Sequence, residues 1–320
     1  MDSEFIIKTE GLAKHFGHIV AVDKLQLEIK PGEIFGLVGP DGAGKTTTIR
    51  MLAAIMDPTR GNATIAGLDL RKQPEQIKEK IGYMAQQFAL YGDLSVLENI
   101  TFFADVFGVP AKVRRERIER LLNFARLTEF TGRRAGRLSG GMKKKLGLAC
   151  ALIHAPAILY LDEPTTGVDP VSRREFWDIL AGLHGEGTTV LVNTPYMDEA
   201  ERCSRVGLMY NGRLVEQGTP KQIKALVPGE LIEFRPESDQ GQDMGLRRRT
   251  NQILNQQAGV LEVQHYGDLI HVFVDSISQR RPQLERALAA EQIRMANFRQ
   301  IMPRMEEAFI SLMSKREMDS

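Results

Sequence analysis

The chain has 320 residues, of which 42% are hydrophobic and 26% are charged, and its formal net charge is +1. This composition is typical of a globular protein with room for one large or two modest domains. A near-neutral balance gives no support to nucleic-acid binding through an overall basic field, and we expect no nucleic-acid partner. The two cysteines, Cys150 and Cys203, do not form a metal-spaced pair, and we interpret them as small buried apolar residues in a reducing compartment.

Neither a leader nor a membrane span is apparent in the sequence. The first five residues are acidic and lack the pattern of a signal peptide, so we expect no secretion. The longest apolar stretch, residues 146–161, contains His154 and Pro156 and falls short of a bilayer span. We therefore expect another chain to supply any membrane-spanning part.

The first 35 residues predict an antiparallel β-rich subdomain. Short strands are expected at residues 5–8, 19–22 and 25–29, and a turn at residues 31–33 follows them. Phe16 is expected on a turn, where its ring can stack on a base or simply belong to the core or surface.

Residues 39–46, GPDGAGKT, match the phosphate-loop pattern G-x-x-x-x-G-K-[ST] at every fixed position. An apolar strand at residues 34–38 precedes the loop, and a helical pattern over residues 46–56 follows it. Glycines allow successive backbone N–H groups to surround an anion at the positive end of a helix. We expect Lys45 to reach the β- and γ-phosphates of a nucleoside triphosphate, and the Thr46 hydroxyl to coordinate Mg²⁺. The residues assigned to nucleotide binding in this segment are Gly39, Asp41, Gly42, Ala43, Gly44, Lys45, Thr46 and Thr47.

Two further motifs lie downstream. Leu138-Ser139-Gly140-Gly141-Met142 precedes a helical pattern, with Ser139 as a plausible N-cap and two glycines that permit close approach of an anion. Residues 158–163 form an apolar strand that ends in Asp162 and Glu163. Asp162 is suited to holding Mg²⁺ through water, and Glu163 to polarising an attacking water as general base.

The order of these motifs resembles the ATP-binding cassette of ABC transporters over roughly residues 5 to 225. In that family two cassettes dimerise head to tail, with ATP between the phosphate loop of one and the LSGGQ-type segment of the other. The resemblance implies that Phe16 stacks on adenine and that Gln86 contacts Mg²⁺ and couples to a membrane partner. It also implies that Asp169 lies in the loop linking the two sites. The residues that it implies donate to the γ-phosphate of the opposite cassette are Ser139, Gly140 and Gly141.

Two positions depart from the family pattern. Met142 replaces the usual glutamine of the LSGGQ segment, which we expect to matter little. Pro195 stands where the family has a histidine that bonds the γ-phosphate, and proline has neither a side-chain donor nor a backbone N–H. We therefore expect ATP binding with slow hydrolysis at this site. The chain most resembles the first cassette of a tandem-cassette exporter subunit, and a homodimer that tolerates Pro195 is the alternative.

The expected fold is α/β, with a P-loop NTPase core, an antiparallel β subdomain and a helical insert at about residues 88–137. The cassette is expected to span residues 1–225. Residues 226–320 predict a βαββαβ order, with one helix from residue 282 to residue 290, and hence a small accessory α+β domain.

The functional expectation is an ATP-hydrolysing motor of a membrane exporter. It would use ATP and Mg²⁺ and work with a second cassette, which is fused, separate or identical. It would also bind ABC-2 type transmembrane permease subunits, peripherally at the cytoplasmic face of the inner membrane. A soluble ABC-type ATPase and a non-hydrolysing nucleotide-binding regulatory subunit are the alternatives.

Overall fold

The computed structural model describes residues 4–87, 90–238 and 245–318. The chain divides into two compact units, residues 1–220 and 221–320. This division falls a few residues before the boundary at residue 225 that the sequence suggested.

Residues 1–220 contain two sheets with helices around them. The strands are β1 (Ile7–Phe16), β2 (Ile19–Leu25), β3 (Glu28–Ile29), β4 (Ile34–Val38), β5 (Arg60–Ile65), β6 (Leu68–Asp69), β7 (Ile81–Met84), β8 (Ile158–Asp162), β9 (Thr189–Thr194), β10 (Arg205–Tyr210) and β11 (Arg213–Gly218). The helices are α1 (Lys45–Leu52), α2 (Pro74–Lys80), α3 (Val96–Val106), α4 (Ala111–Phe124), α5 (Gly140–Leu152), α6 (Pro170–Gly185) and α7 (Met197–Ala200), with α8 (Pro220–Ala225) at the division.

The central sheet has the order β11-β10-β4-β9-β8-β7, and its neighbouring strands are parallel apart from β10 and β11. The strands β4, β8 and β9 are buried along their whole length, which explains their nearly continuous apolar sequences. Val38 pairs with Thr194, and Asp162 pairs with Asn193. The carboxyl ends of the three strands therefore meet at one edge of the sheet, where ligands bind in open α/β sheets.

The second sheet confirms the expected antiparallel subdomain, but its first strand is longer than predicted. The order is β2-β1-β5-β6, with β3 paired to β1. β1 continues to Phe16, although the sequence suggested a strand at residues 5–8 and a turn at Phe16. Gly11 has a φ of 61°. The register of β1 shifts against both neighbouring strands: between Glu10 and Ala13 where it pairs with β5, and after Leu12 where it pairs with β2. These irregularities break the alternation of apolar and polar residues on which the sequence prediction depended.

Helices α3 and α4 form the expected helical insert at about residues 88–137, apart from residues 88–89, which lie outside the described residues, and α5 follows the insert. α3 begins at a capping box, in which the Ser95 hydroxyl accepts from the backbone N–H of Glu98, and the Glu98 carboxylate accepts from that of Ser95. The three helices enclose an apolar core of their own. Cys150 of α5 and Cys203 after α7 are both buried free thiols, and burial raises the pKa of each.

α1 ends at Leu52, earlier than the helical pattern over residues 46–56 suggested. Ala54 has a left-handed φ of 55°, which ends the helix. Across the ranges that the structure describes, no helix is both long enough and apolar enough to cross a bilayer.

Residues 221–320 form the expected α+β unit. Its elements are β12 (Glu230–Ser238), α9 (Leu246–Asn255), β13 (Val260–Tyr266), β14 (Leu269–Val274), α10 (Ile277–Ala289), β15 (Ile293–Ile301) and α11 (Met305–Met318). The sheet is antiparallel with the order β13-β14-β12-β15. One face packs on α9 and α10 through residues such as Ile270 and Val272, whereas His271 faces the other side and contacts Glu307 of α11. α10 begins at Ile277 and contains Pro282 in its interior, so the expectation that Pro282 opens this helix was wrong.

Candidate active site

The phosphate loop between β4 and α1 is shaped by close contacts between backbone segments. Gly39 has a φ of 158°, and a Cβ atom at this position would lie 2.1 Å from the carbonyl oxygen of Met209. Gly44 has a φ of 98°, and a Cβ atom here would lie 2.3 Å from the carbonyl oxygen of Ala21. Because any side chain would collide with main-chain atoms, both positions require glycine. The other loop residues assigned to phosphate are Asp41 and Gly42, which are exposed, and Ala43, which is buried.

Lys45 begins α1, and its side chain turns back into the loop. Its Nζ donates to the carbonyl oxygens of Gly39, at 2.8 Å, and of Pro40, at 2.9 Å. Burial lowers the pKa of Lys45, whereas the negative charges of Glu163 and Asp41 oppose that change. The loop therefore contains a buried amine at the amino terminus of α1, where an anionic phosphate is favoured.

Asp162, at the end of β8, belongs to a buried polar cluster at the edge of the central sheet. The Thr46 hydroxyl donates to Asp162 Oδ1 at 2.9 Å. Asn193 Nδ2 contacts the same carboxylate oxygen and the Thr46 hydroxyl, the latter at 3.2 Å. Asp162 Oδ2 is buried and has no hydrogen-bond partner among the described residues. A buried carboxylate oxygen without a partner needs a compensating charge or donor.

Glu163 follows Asp162, and its side chain is held by two neighbours. Gln86 Nε2 donates to Glu163 Oε2 at 2.8 Å, and the Thr166 hydroxyl donates to the same oxygen at 3.1 Å. Glu163 has a φ of 49°, which is unfavourable for a residue other than glycine. The structure thus brings the side chains of Gln86 and Glu163 together, a contact that the sequence analysis did not predict.

Pro195 follows β9 and lacks the side-chain hydrogen-bond donor that a histidine would supply at this position. On either side, Thr194 is buried and Tyr196 begins the turn into α7. The Thr194 hydroxyl donates to Glu199 Oε2 at 2.7 Å, and the Thr165 hydroxyl donates to Glu199 Oε1 at 2.5 Å. Glu199, which is only 1% exposed, therefore joins the segment after Glu163 to the end of β9.

The glycine pair at residues 140–141 lies at the amino terminus of α5. The Ser139 hydroxyl caps this helix by accepting from the backbone N–H of Met142 at 3.2 Å, and Ser139 and Gly140 are exposed. Gly141 is buried, and a Cβ atom here would lie 2.5 Å from the Ser172 side chain. Gly141 thus has a packing role that the sequence did not indicate. Asp169 caps α6 by accepting from the backbone N–H of Ser172 at 2.9 Å.

Phe16 lies at the tip of the β1–β2 hairpin, where it pairs with Ile19, and the residue is 46% exposed. Lys14 Nζ lies 5.3 Å from the ring centroid. The same hairpin contacts the phosphate loop, because the carbonyl oxygen of Ala21 borders Gly44. An exposed aromatic ring therefore lies on the strand pair that borders this loop.

Comparison with known proteins identifies the family of this chain. A family model described as ABC transporter matches residues 22–166. A daunorubicin resistance ATP-binding protein of Streptomyces coeruleorubidus is 40% identical over 230 residues, which cover 72% of this chain and 71% of that protein. The chain belongs to the ABC transporter family and contains its ATP-binding cassette.

Other relatives of the cassette are named for export. A Nod factor export ATP-binding protein of Cupriavidus metallidurans is 40% identical over 219 residues, covering 68% of this chain and 72% of that protein. A probable multidrug ABC transporter ATP-binding protein of Escherichia coli is 45% identical over 222 residues, covering 69% of this chain. The aligned part spans only 38% of the Escherichia coli protein.

Solved cassettes share the fold. The cbiO1 protein of Clostridium perfringens, part of an ABC transporter complex, aligns with a TM-score of 0.65 and 28% identity, over 70% of this chain and 92% of that chain. A dimeric cassette in a post-hydrolysis state, bound to ADP and phosphate, aligns with a TM-score of 0.61 and 27% identity, over 67% of this chain and 98% of that chain. The α/β cassette fold expected from the sequence is confirmed.

The cassette residues that would hold Mg²⁺ fit this ion. Mg²⁺ prefers oxygen ligands and usually keeps several waters and substrate phosphates, with only one or two carboxylates from the protein. Within the described ranges, Asp162 Oδ2 is a buried carboxylate oxygen without a hydrogen-bond partner, and the Thr46 hydroxyl donates to the other oxygen of this carboxylate. In the described part of the chain, no group of three or more His, Cys, Asp or Glu side chains forms a metal cage.

The sequence did not indicate several residues of the cassette site. Asn193 bonds to Asp162 and Thr46, Glu199 joins two loops, and Lys144 contacts the Gln86 carbonyl oxygen. These residues belong to no short motif, and their partners are mostly distant in sequence. An amide or carboxylate within an apolar run, such as Asn193 in residues 190–193, is the one signal that was present.

Proposed function

We propose that the chain is the ATP-binding motor subunit of a membrane exporter, working through ATP-driven head-to-tail dimerisation of two cassettes. The observation that carries this proposal is the position of Glu163. Gln86 and Thr166 hold its carboxylate, and Glu163 directly follows Asp162 at the sheet edge that also carries the phosphate loop. A general base beside a triphosphate site is the arrangement that hydrolysis requires.

The chain's own residues supply most of the proposed chemistry. Lys45 and the backbone N–H groups of the loop bind the phosphates, while the exposed Phe16 ring stacks on adenine. Glu163 accepts a proton from the attacking water, and Gln86 orients its carboxylate. Thr46, Asp162 and Gln86 would hold Mg²⁺, which would neutralise negative charge on the phosphates. Ser139, Gly140 and Gly141 donate to the γ-phosphate bound by the second cassette.

Pro195 supports an asymmetric pair of sites. It provides no donor to the γ-phosphate, so the site on this chain's own phosphate loop should bind ATP well and hydrolyse it slowly. The competent site would then combine the Ser139–Gly141 segment with a partner cassette that carries its own histidine. The partner cassette is fused, separate or a second copy of this chain.

An exposed apolar patch supports a protein partner for the helical insert. Tyr91 and Phe102 are 48% and 36% exposed, and their ring centroids lie 4.6 Å apart. Val106, four residues after Phe102 on the same face of α3, is 61% exposed. Adjacent exposed apolar side chains of this kind mark interaction surfaces. We infer that ABC-2 type permease subunits bind here, which would hold the chain peripherally at the cytoplasmic face of the inner membrane. The export relatives are consistent with this assignment.

Steady-state ATP hydrolysis by the purified chain tests the proposal, with Pro195→His and Glu163→Gln measured beside it. We expect the parent to bind ATP and turn over slowly, and Pro195→His to raise turnover at least tenfold by restoring a donor. Glu163→Gln in the Pro195→His background should abolish the gain. If the parent already turns over rapidly and Glu163→Gln stops it, Pro195 is tolerated and a homodimeric motor is the better assignment.

A regulatory subunit without turnover is the second candidate, because Pro195 removes a donor that hydrolysis uses. If the chain is such a regulatory subunit, we expect both the parent and Pro195→His to bind ATP without hydrolysing it, whether alone or mixed with a competent cassette. Hydrolysis gained in the mixture with the competent cassette would instead support the asymmetric motor.

A further inference from the structure

Lys144 of α5 reaches out of its own helix into the candidate active site. Its Nζ donates to the carbonyl oxygen of Gln86 at 2.7 Å and lies 3.5 Å from the carbonyl oxygen of Glu163. These are the two residues whose side chains pair at 2.8 Å. One ammonium group therefore holds the main chain on both sides of the pair that includes the proposed general base.

The three consecutive lysines of α5 have different environments. Lys143 is exposed, while Lys145 is buried and forms an ion pair with Glu175 at 2.7 Å. Lys144 is partly buried, and burial lowers its pKa, whereas the charges of Glu163 and Asp162 oppose that change. A partly desolvated ammonium makes stronger hydrogen bonds to carbonyl oxygens than one in water.

Glu163 needs support of this kind. Its φ of 49° is unfavourable for a residue with a side chain, and such a conformation persists only where surrounding contacts hold it. Its backbone N–H donates to the carbonyl oxygen of Asn193 at 2.9 Å, and Lys144 approaches its carbonyl oxygen. Lys144 also connects this strained residue to α5, whose amino terminus carries Ser139 and Gly140.

We propose that Lys144 is a positioning residue that holds Gln86 and Glu163 in a fixed relation to α5. The Glu163 carboxylate, which serves the site on this chain's own phosphate loop, would then move together with the Ser139–Gly141 segment, which serves the site on the second cassette. The inference rests on the proposed function, because it assigns Glu163 and the Ser139–Gly141 segment to two sites of one motor. Its physical basis, the hold on two backbone carbonyls, can be measured without hydrolysis.

Hydrogen–deuterium exchange on the full chain tests that hold. We expect Lys144→Met to raise exchange about tenfold in peptides that cover residues 81–87 and 163–168, since a charge-assisted hydrogen bond contributes about one order of magnitude or more to local closing. Lys144→Arg keeps the donors and should retain most of the protection. Lys143→Met, which removes the exposed neighbour, is the matched control and should leave these peptides unchanged. Equal exchange in Lys144→Met and Lys143→Met would overturn the proposal.

Kinetics separate positioning from binding, in whichever of the parent and Pro195→His chains turns over. We expect Lys144→Met to lower kcat about tenfold with KM for ATP within about twofold, and Lys144→Arg to recover most of the loss. A loss through KM alone would contradict a positioning role. If neither chain hydrolyses ATP, alone or mixed with a competent cassette, the motor proposal fails, and the exchange comparison still decides the role of Lys144. If Lys144→Met does not fold, Lys144→Gln is judged by the same two criteria.

Discussion

Asp162 uses its two carboxylate oxygens differently. Oδ1 accepts from the Thr46 hydroxyl and contacts Asn193, whereas Oδ2 is buried and unpartnered within the described ranges. An asparagine at this position could place its NH₂ group in either of two positions. In place of Oδ2, the NH₂ group would point an N–H at a site suited to a cation; in place of Oδ1, it would face the N–H that Asn193 already donates. The local chemistry therefore favours a carboxylate.

We expect Asp162→Asn to weaken Mg²⁺-dependent ATP binding by about 10- to 100-fold, the range seen when groups that orient a metal are lost. ATP binding in excess EDTA should change far less, because Lys45 and the loop remain. Titration with a fluorescent ATP analogue, with and without Mg²⁺, measures both. Asp178→Asn, an exposed position on α6, is the matched control. An equal loss of affinity with and without Mg²⁺ would mean that Asp162 supports the loop and not the ion.

For single residues, the sequence identified those that belong to a local motif but missed those whose partners are distant in sequence. Lys45 and Thr46 belong to an eight-residue motif, and Asp162 and Glu163 end an apolar strand, so local spacing is enough to find them. Asn193 on β9 contacts Thr46 on α1, and no short sequence pattern predicts that contact. Lysine at position 144 is an ordinary helix residue until its partners are known.

Among the elements, α11 depends on buried charge for part of its contact with the sheet of its unit. His271 Nε2 lies 3.0 Å from Glu233 Oε2, and His271 Nδ1 lies 3.1 Å from Glu307 Oε1. The three side chains are at most 5% exposed. Arg299 also pairs with Glu233, and the Tyr266 ring packs 4.4 Å from the His271 ring. Breaking such a cluster leaves a buried charge without compensation.

This cluster makes stability depend on pH. Burial would lower the pKa of His271, but its contacts with Glu307 and Glu233 outweigh burial and raise it above 6.5. The stabilisation is therefore complete below pH 6.5 and is lost as the pH rises through the raised pKa of the folded state. Burial would raise the pKa of Glu233 and Glu307, but hydrogen bonds with His271, with Arg299 for Glu233 and with backbone N–H groups for Glu307 together outweigh burial and lower it. The stabilisation from these carboxylates is therefore lost only in acid, below pH 4.5.

Above pH 6.5, we expect the unfolding free energy of the parent to fall by up to about 1.4 kcal/mol per pH unit, until the pKa of His271 in the folded state is passed. His271→Gln should be less stable by about 3–5 kcal/mol in mild acid and should lack this slope. Urea unfolding between about pH 6 and about pH 9 measures both quantities. His18→Gln, at an exposed histidine, should keep the parental slope. A parental slope that survives in His271→Gln would locate the pH dependence elsewhere.

Element boundaries were predictable where the hydrophobic period was regular. The buried strands β4 and β8 were expected close to their observed bounds because their apolar runs are uninterrupted. β1 was shortened in the prediction because bulges interrupt its pattern. The start of α10 was misplaced because Pro282 is favourable in a first helical turn, and only the structure shows that the helix begins before it.

At the scale of the whole molecule, three clusters of buried apolar residues in the described part of the chain each lie within one of the two units. The clusters around β4 and around α3 to α5 belong to residues 1–220, and that around β12 and β14 belongs to residues 221–320. A unit with its own core is expected to fold without the other. The nucleotide site described above draws only on the first unit.

We therefore expect a chain truncated after Val227 to keep its ATP affinity within about twofold, since no core of the first unit is cut. Our hypothesis that the second unit regulates or braces the cassette pair predicts weaker ATP-dependent dimerisation of the truncated chain. Nucleotide titration and analytical ultracentrifugation with ATP measure the two properties, and Lys45→Ala in the full chain controls for nucleotide dependence. Unchanged ATP binding, dimerisation and transport would remove that hypothesis.

The burial of both thiols has a practical consequence. Cys150 and Cys203 are the two cysteines of the sequence, and the raised pKa of each leaves little thiolate at neutral pH. Maleimide reagents should therefore leave the natural chain almost unlabelled. A cysteine introduced at the exposed Lys143, on α5 beside the Ser139–Gly141 segment, would carry a fluorophore alone, with both native thiols retained. Such a dye would report, turnover by turnover, when a second cassette closes over this segment.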